Sequence, residues 1–160
     1  MKVKEIMNTA VTTCDLNASL ADAARTMWKH DCGILPVLKD GRELVGLITD
    51  RDICMASAMK RRDPTAISVE EVITGKVFSV MTDDDVKQAL EVMQQRQVRR
   101  LPVVDAEGNL SGVLSMNDVV LNAAESDSEE AASISYDDVV RTYKAICRHP
   151  LPMAATATAG

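Results

Sequence analysis

A hydroxyl and a carboxylate stand three residues apart at two places in this chain: Thr49 and Asp52 in "LVGLITDRDI" (44–53), and Ser115 and Asp118 in "LSGVLSMNDV" (110–119). Both pairs follow an apolar run, where a buried strand should give way to a helix. The spacing fits a capping box, with hydroxyl and carboxylate each bonding the other residue's backbone N–H. It also fits a nucleotide. The N–H groups and dipole of a helix start favour phosphate, and an aspartate can accept both hydroxyls of a ribose. The two roles are compatible, so the motif alone does not choose between them. A second stretch, "VRRLPVVD" (98–105), sets Arg99 and Arg100 beside an apolar strand. They read either as a solvated strand end with stems over the core or as guanidinium donors facing phosphate oxygens.

The elements that must position these groups come in two copies. A shift of 66 positions aligns residues 3–54 with 69–120 without a gap. Leu35, Pro36 and Val37 fall on Leu101, Pro102 and Val103, and Leu44, Gly46 and Asp52 fall on Leu110, Gly112 and Asp118. Such self-similarity is the mark of a repeated supersecondary unit. Each copy reads as strand, helix, strand, strand, helix. The first strands are expected at 10–14 and 76–81. Ser19 with Asp22 caps the first helix, and Asp83 to Asp85 place negative charge at the start of its counterpart. "ILPVL" (34–38) and "LPVVD" (101–105) are strands, each turning at a glycine into a hairpin partner. Pro36 and Pro102 cannot donate to a ladder, which points to a strand edge or start; an edge left open there suits a ligand's polar groups. The expected divisions are 1–59 for the first repeat, 60–68 for a polar linker, 69–122 for the second repeat, and 123–160 for an acidic linker, an amphipathic helix and a tail. Ser135 caps that last helix, and Val139, Val140, Tyr143, Ile146 and Cys147 form its apolar stripe.

The bulk properties narrow the classes. The chain has 160 residues, enough for one domain or a compact pair of repeats. Its core is aliphatic, since only one Phe, one Trp and two Tyr are present. The net charge of −6 gives no basic surface for nucleic acid or an acidic membrane. No apolar run reaches the ~18–20 residues of a membrane span, and the start lacks a signal peptide's apolar stretch. The cytoplasm is the expected location. Cys14, Cys32, Cys54 and Cys147 are then reduced thiols, read as buried structural residues; no zinc-type spacing is present, so no metal site is expected.

The gapless repeat, together with "LPVL…LVGLITDRDI" and "RRLPVVD…LSGVLSMNDV", resembles a tandem pair of CBS domains, a Bateman module, of the free-standing bacterial type. The resemblance implies an α+β fold of two β-α-β-β-α repeats packed around a pseudo-twofold axis, here with a C-terminal helix added. It implies clefts between the repeats that bind AMP, ADP, ATP or S-adenosylmethionine, with hydroxyl-x-x-Asp on the ribose and the basic pair on phosphate. Carried onto this sequence, the stronger site comprises Met7, Thr12, Cys32, Arg99, Arg100, Ser115, Asn117 and Asp118. The second comprises Thr49, Arg51, Asp52, Ile73, Phe78 and Val98. Gly33 and Ile34 stand where the other copy has its arginines, so the two sites should be unequal.

The implied function is a non-catalytic sensor, without a cofactor, whose bound ligand biases the arrangement of the repeats and so regulates a partner. A flat homodimer formed through the helices is the assembly the resemblance implies. The rival readings are a ligand-free dimerisation or interaction module and, less favoured by the residues, a thiol or metal sensor using Cys14, His30 and Cys32. An enzyme is disfavoured, because no Gly-rich phosphate loop, catalytic triad or metal constellation is visible.

Overall fold

The computed structural model describes residues 1–73, 75–125 and 134–148. Thr74, most of the acidic linker (126–133) and the tail with His149 (149–160) lie outside the described residues. A short helix α1 (Val3–Ile6) opens the chain. The first unit then runs β1 (Cys14–Asp15), α2 (Leu20–Lys29), β2 (Ile34–Lys39), β3 (Glu43–Thr49) and α3 (Asp50–Lys60). The second repeats it as β4 (Val80–Met81), α4 (Val86–Arg96), β5 (Arg100–Val104), β6 (Leu110–Ser115) and α5 (Met116–Leu121). Each unit is a three-stranded sheet, ordered β1-β2-β3 or β4-β5-β6, with a parallel first pair and an antiparallel second pair.

Local chemistry accounts for the element ends. Ser19 accepts from the Asp22 N–H at the start of α2, and Asp85 from the Lys87 N–H at the start of α4. The turn between β2 and β3 places Asp40 and Gly41 at φ 51° and 68°, the left-handed pair that closes a tight hairpin. The first strands are shorter than expected: only Cys14–Asp15 and Val80–Met81 pair. Residues 9–13 are instead the passage from one unit to the other. β2 and β5 are middle strands, so of the edge or start position that Pro36 and Pro102 suggest, the edge is not what is found. The prolines are tolerated because the parallel neighbours begin pairing only at Val37 and Val103, one residue beyond each. Each proline thus has a ladder on one side alone.

The units exchange their opening segments. Val3 is fully buried with Val86, Leu90 and Leu101 of the second unit, and its N–H donates to the Asp84 carbonyl at 3.0 Å. Val69 is buried with Leu20, Leu35 and Ile48 of the first, and donates to the Ala18 carbonyl at 2.9 Å. The two bonds are equivalent under the 66-residue shift, as a pseudo-twofold pair requires. Within 60–68, Ile67 is fully buried, so this polar stretch also supplies core to the first unit.

Beyond α5, Ala123–Ala124 (β7) pairs in parallel with Ile134–Ser135 (β8), a strand pair with no sequence signal, before α6 (Tyr136–Ile146). Ser135 caps α6 with Asp138, as expected. Val139, Tyr143 and Ile146 pack on the second core, but Val140 and Cys147 are exposed and fall outside the expected stripe. Thr142 is buried in their place. Its Oγ1 donates to the Asp138 carbonyl and accepts from Gln94 Nε2 on α4, both at 2.8 Å. Thr142→Val is therefore expected to cost about 1–3 kcal/mol, because the Gln94 amide loses its acceptor. Urea unfolding should show a lower midpoint at unchanged slope; an unchanged midpoint would refute the role of this bond.

Candidate functional site

β6 delivers Ser115 to the start of α5, and the capping box is complete. Ser115 Oγ accepts from the Asp118 N–H at 3.4 Å. Asp118 accepts from the Ser115 N–H at 2.7 Å and from its Oγ–H at 2.6 Å, both through Oδ2. Thr49 and Asp52 make the same set at 3.1, 3.0 and 2.6 Å, again through Oδ2. Each carboxylate thus caps its helix with one oxygen and leaves Oδ1 for another donor. Capping and ligand binding are not exclusive here. The two boxes differ in setting: Asp118 is half-buried and Asp52 is exposed.

A cavity of about 380 Å³ opens over the Ser115–Asp118 box. The second unit supplies Arg100, Ser115, Asn117 and Asp118 to it; the first supplies Thr12 and Cys32. These six belong to the set expected for the stronger site. Two others are placed elsewhere. Met7 packs against Gly112, where a Cβ would lie 2.7 Å from its Sδ, and it does not line the cavity. Arg99 lines an adjoining recess of about 50 Å³ with Met116 and Tyr143, which shares Arg100, Ser115 and Asn117 with the cleft. Of the arginine pair, Arg100 lines the cleft itself and Arg99 its neighbour.

Asn8, His30, Asp31 and Pro36 also line this cavity, and none of them was in the set expected for it. Asn8 is set there by a two-bond bridge to Val113, at 2.9 and 3.0 Å. Pro36 lies where the sheet lacks its parallel neighbour, so the open ladder expected there does face the cleft. Proximity to Cys32 was the only signal for His30 and Asp31.

The second expected set is not gathered into one cavity. Phe78 and Val98 line a recess of about 230 Å³ with Lys76 and Arg100, but Thr49, Arg51 and Asp52 are not part of it. Ile73 packs on Gly46 as Met7 does on Gly112. Arg96 lies 4.1 Å from the Phe78 ring centroid, a cation–π contact that occupies one side of that ring. A larger cavity, about 470 Å³, lies along α2 and α3 beside Trp28 and Ile53 and holds neither hydroxyl–aspartate pair. Of these cavities, the cleft over Ser115 is the one that joins a hydroxyl–aspartate pair to an arginine.

The cysteines divide in two. Cys14 and Cys32 are half-buried, whereas Cys54 and Cys147 are exposed, against the expectation of four buried thiols. Cys54 lies on α3 and lines the cavity beside Trp28, and Cys147 is the C-cap of α6, positions that the apolar patterning did not distinguish. Burial, and secondarily the Asp15 carboxylate, push the Cys14 thiol up to about 11. Its thiolate is scarce at neutral pH. Iodoacetamide at neutral pH should label Cys54 and Cys147 first, with Cys14 slower by about tenfold or more. Equal rates by mass spectrometry would show that Cys14 is not shielded. Among the described residues, no group of three His, Cys, Asp or Glu side chains could hold a metal ion. No helix among them is long and apolar enough to cross a membrane.

Two interlocked α+β units with a polar cleft between them define a tandem-repeat module. The chain belongs to the CBS-domain family, whose model matches residues 3–58 and again 69–125. It is 31% identical over 152 residues to hypoxic response protein 1 of Mycobacterium tuberculosis, covering 95% of this chain and 97% of that one. The solved structure of that protein, with two coordinated zinc ions, superposes at a TM-score of 0.69 over 76% of this chain and 98% of that one. The CBS pair of protein MJ0100, solved with 5′-methylthioadenosine and S-adenosyl-L-methionine, is 28% identical at a TM-score of 0.68, covering 76% and 94%. CBSX2 of Arabidopsis thaliana, solved with AMP, is 25% identical at 0.65, covering 75% and 93%. Pairs of this family thus bind adenosine compounds.

Proposed function

We propose that this protein is a non-catalytic cytoplasmic sensor of an adenosine compound, and that the ligand seats in the Ser115–Asp118 cleft. The observation that carries the reading is the convergence of Thr12 and Cys32 from one repeat with Arg100, Ser115, Asn117 and Asp118 from the other on one cavity. In this reading Asp118 Oδ1 and Ser115 hold the ribose, Arg100 meets phosphate or carboxylate, and Thr12 and Cys32 flank the base. The adenosine ligands of MJ0100 and CBSX2 support it. A ligand that touches both repeats favours one arrangement of them over another, and that difference in affinity is what a regulated partner would detect. A homodimer and a regulated partner each need an apolar surface. The exposed Trp28, 89% accessible, and Met59, 74% accessible, on α2 and α3 are consistent with that need.

The test is calorimetric titration with AMP, ADP, ATP and S-adenosylmethionine. Saturable binding by at least one of them is the expected result. No heat, and no rise in melting temperature at millimolar concentration, would leave the hydroxyl–aspartate pairs as helix caps and the chain as a ligand-free interaction module.

A further inference from the structure

The charge inventory of the cleft bears on which adenosine ligand it takes. Arg100 is the single lysine or arginine among the lining residues, and two carboxylates, Asp31 and Asp118, line the cavity with it. Neither the Arg100 guanidinium nor the Asp31 carboxylate has an ion-pair or hydrogen-bond partner among the described residues. Asp31 is held in place by the turn that ends α2. It adopts φ 48°, its N–H donates to the Trp28 carbonyl at 3.4 Å, and the next N–H, of Cys32, donates to Met27 at 3.0 Å. A third carboxylate lies close behind. Asp50 Oδ2 comes within 3.0 Å of where a Cβ on Gly33 would stand, and Gly33 is part of the cleft wall. Arg99 is not among the residues that line the cleft; it lines the small adjoining recess with Tyr143.

We propose that this cleft selects adenosine ligands by charge. It takes those with one phosphate or a cationic 5′ substituent such as a sulfonium, and refuses nucleoside di- and triphosphates, with Asp31 as the residue that sets the limit. The proposal rests on the reading of the cleft as an adenosine site. One guanidinium matches one phosphate. Every further phosphate adds negative charge to a cleft that has no further lysine or arginine and already holds the Asp31 and Asp118 carboxylates, whereas a sulfonium is attracted by the same carboxylates. In a partly desolvated cleft such like-charge contacts are worth roughly a factor of ten in affinity.

The experiment compares 5′-methylthioadenosine, AMP, ADP, ATP and S-adenosylmethionine by calorimetry at low ionic strength without divalent cation, on the wild-type protein and on Asp31→Asn. The uncharged thioether measures the nucleoside site alone and reports whether the variant has kept it. The expected result is that AMP and S-adenosylmethionine bind about tenfold or more tightly than ATP in the wild type. Asp31→Asn should tighten ATP and ADP by about three- to tenfold, weaken S-adenosylmethionine and leave methylthioadenosine unchanged. Added salt should compress these differences. ATP binding as tightly as AMP, or an ATP-to-methylthioadenosine ratio that Asp31→Asn does not move, overturns the charge rule while the adenosine site stands. Failure of all five ligands overturns the adenosine reading and the rule together.

Discussion

Asp118→Ala is expected to weaken adenosine binding by about a hundredfold or more, the loss of two hydrogen bonds to a charged acceptor. The same change costs stability only about 1 kcal/mol, the worth of a capping box. The two effects separate because Oδ2 makes both capping bonds, to the Ser115 N–H and Oγ–H, while Oδ1 points to no partner within the described residues. Asp52→Ala is the control. It removes the same capping bonds at Thr49, so its stability cost should be similar, yet Asp52 does not line the Ser115 cleft and ligand affinity should hold. Calorimetry and thermal melts on the two variants decide the matter. Equal loss of binding in both would place the ligand elsewhere than in the cleft over Ser115.

The largest effect on the fold is expected at Gly112. A Cβ there would stand 2.9 Å from the backbone oxygen of Asn8 and 2.7 Å from Met7 Sδ. The Asn8 backbone cannot yield, because two hydrogen bonds tie it to Val113, the residue that follows Gly112. Gly112→Ala should therefore cost about 1–3 kcal/mol by overpacking and push the opening segment away from β6. Ligand binding should fall with it, since Asn8 and Thr12 ride on that segment and line the cleft. Gly46 is its counterpart in the first unit, but there the nearest atom is the Cδ1 tip of Ile73 at 2.7 Å, which side-chain rotation can move, with Ile73 Cβ farther off at 3.3 Å and no backbone atom among the near contacts. Gly46→Ala should cost under about 1 kcal/mol. Urea unfolding of the pair measures both; equal costs would mean that the Asn8 bridge is not what makes Gly112 intolerant.

The contrast between these glycines shows where a pattern of residues stops being informative. Gly46 and Gly112 occupy the same place in the repeat, two residues after Leu44 or Leu110 and three before Thr49 or Ser115. The local differences, such as Val45 against Ser111, do not foretell the contrast. What differs is the kind of atom that a distant segment lays against each. The same holds for Met7 and Ile73, which resemblance places in the clefts and the structure places against these two glycines.

By itself the sequence determined the repeat, the order of elements within each copy, the helix caps at Ser19, Thr49, Ser115 and Ser135, and the family. It also marked Thr12, Cys32, Arg100, Ser115, Asn117 and Asp118 as a candidate set. These are legible because caps, hairpin turns and apolar periodicity are settled by bonds between residues a few positions apart, and because a repeat displays each pattern twice. Only the tertiary structure decided that the opening segments are exchanged, with Val3 in the second core and Val69 in the first. It alone turned Arg100 and not Arg99 into the cleft, brought Asp31 there, left Cys54 and Cys147 exposed, and buried Thr142 under Gln94. The physical reason is common to all of these. Which residues share a cavity depends on how two separately patterned surfaces meet, and that meeting is governed by packing between segments some sixty residues apart, which no local spacing records.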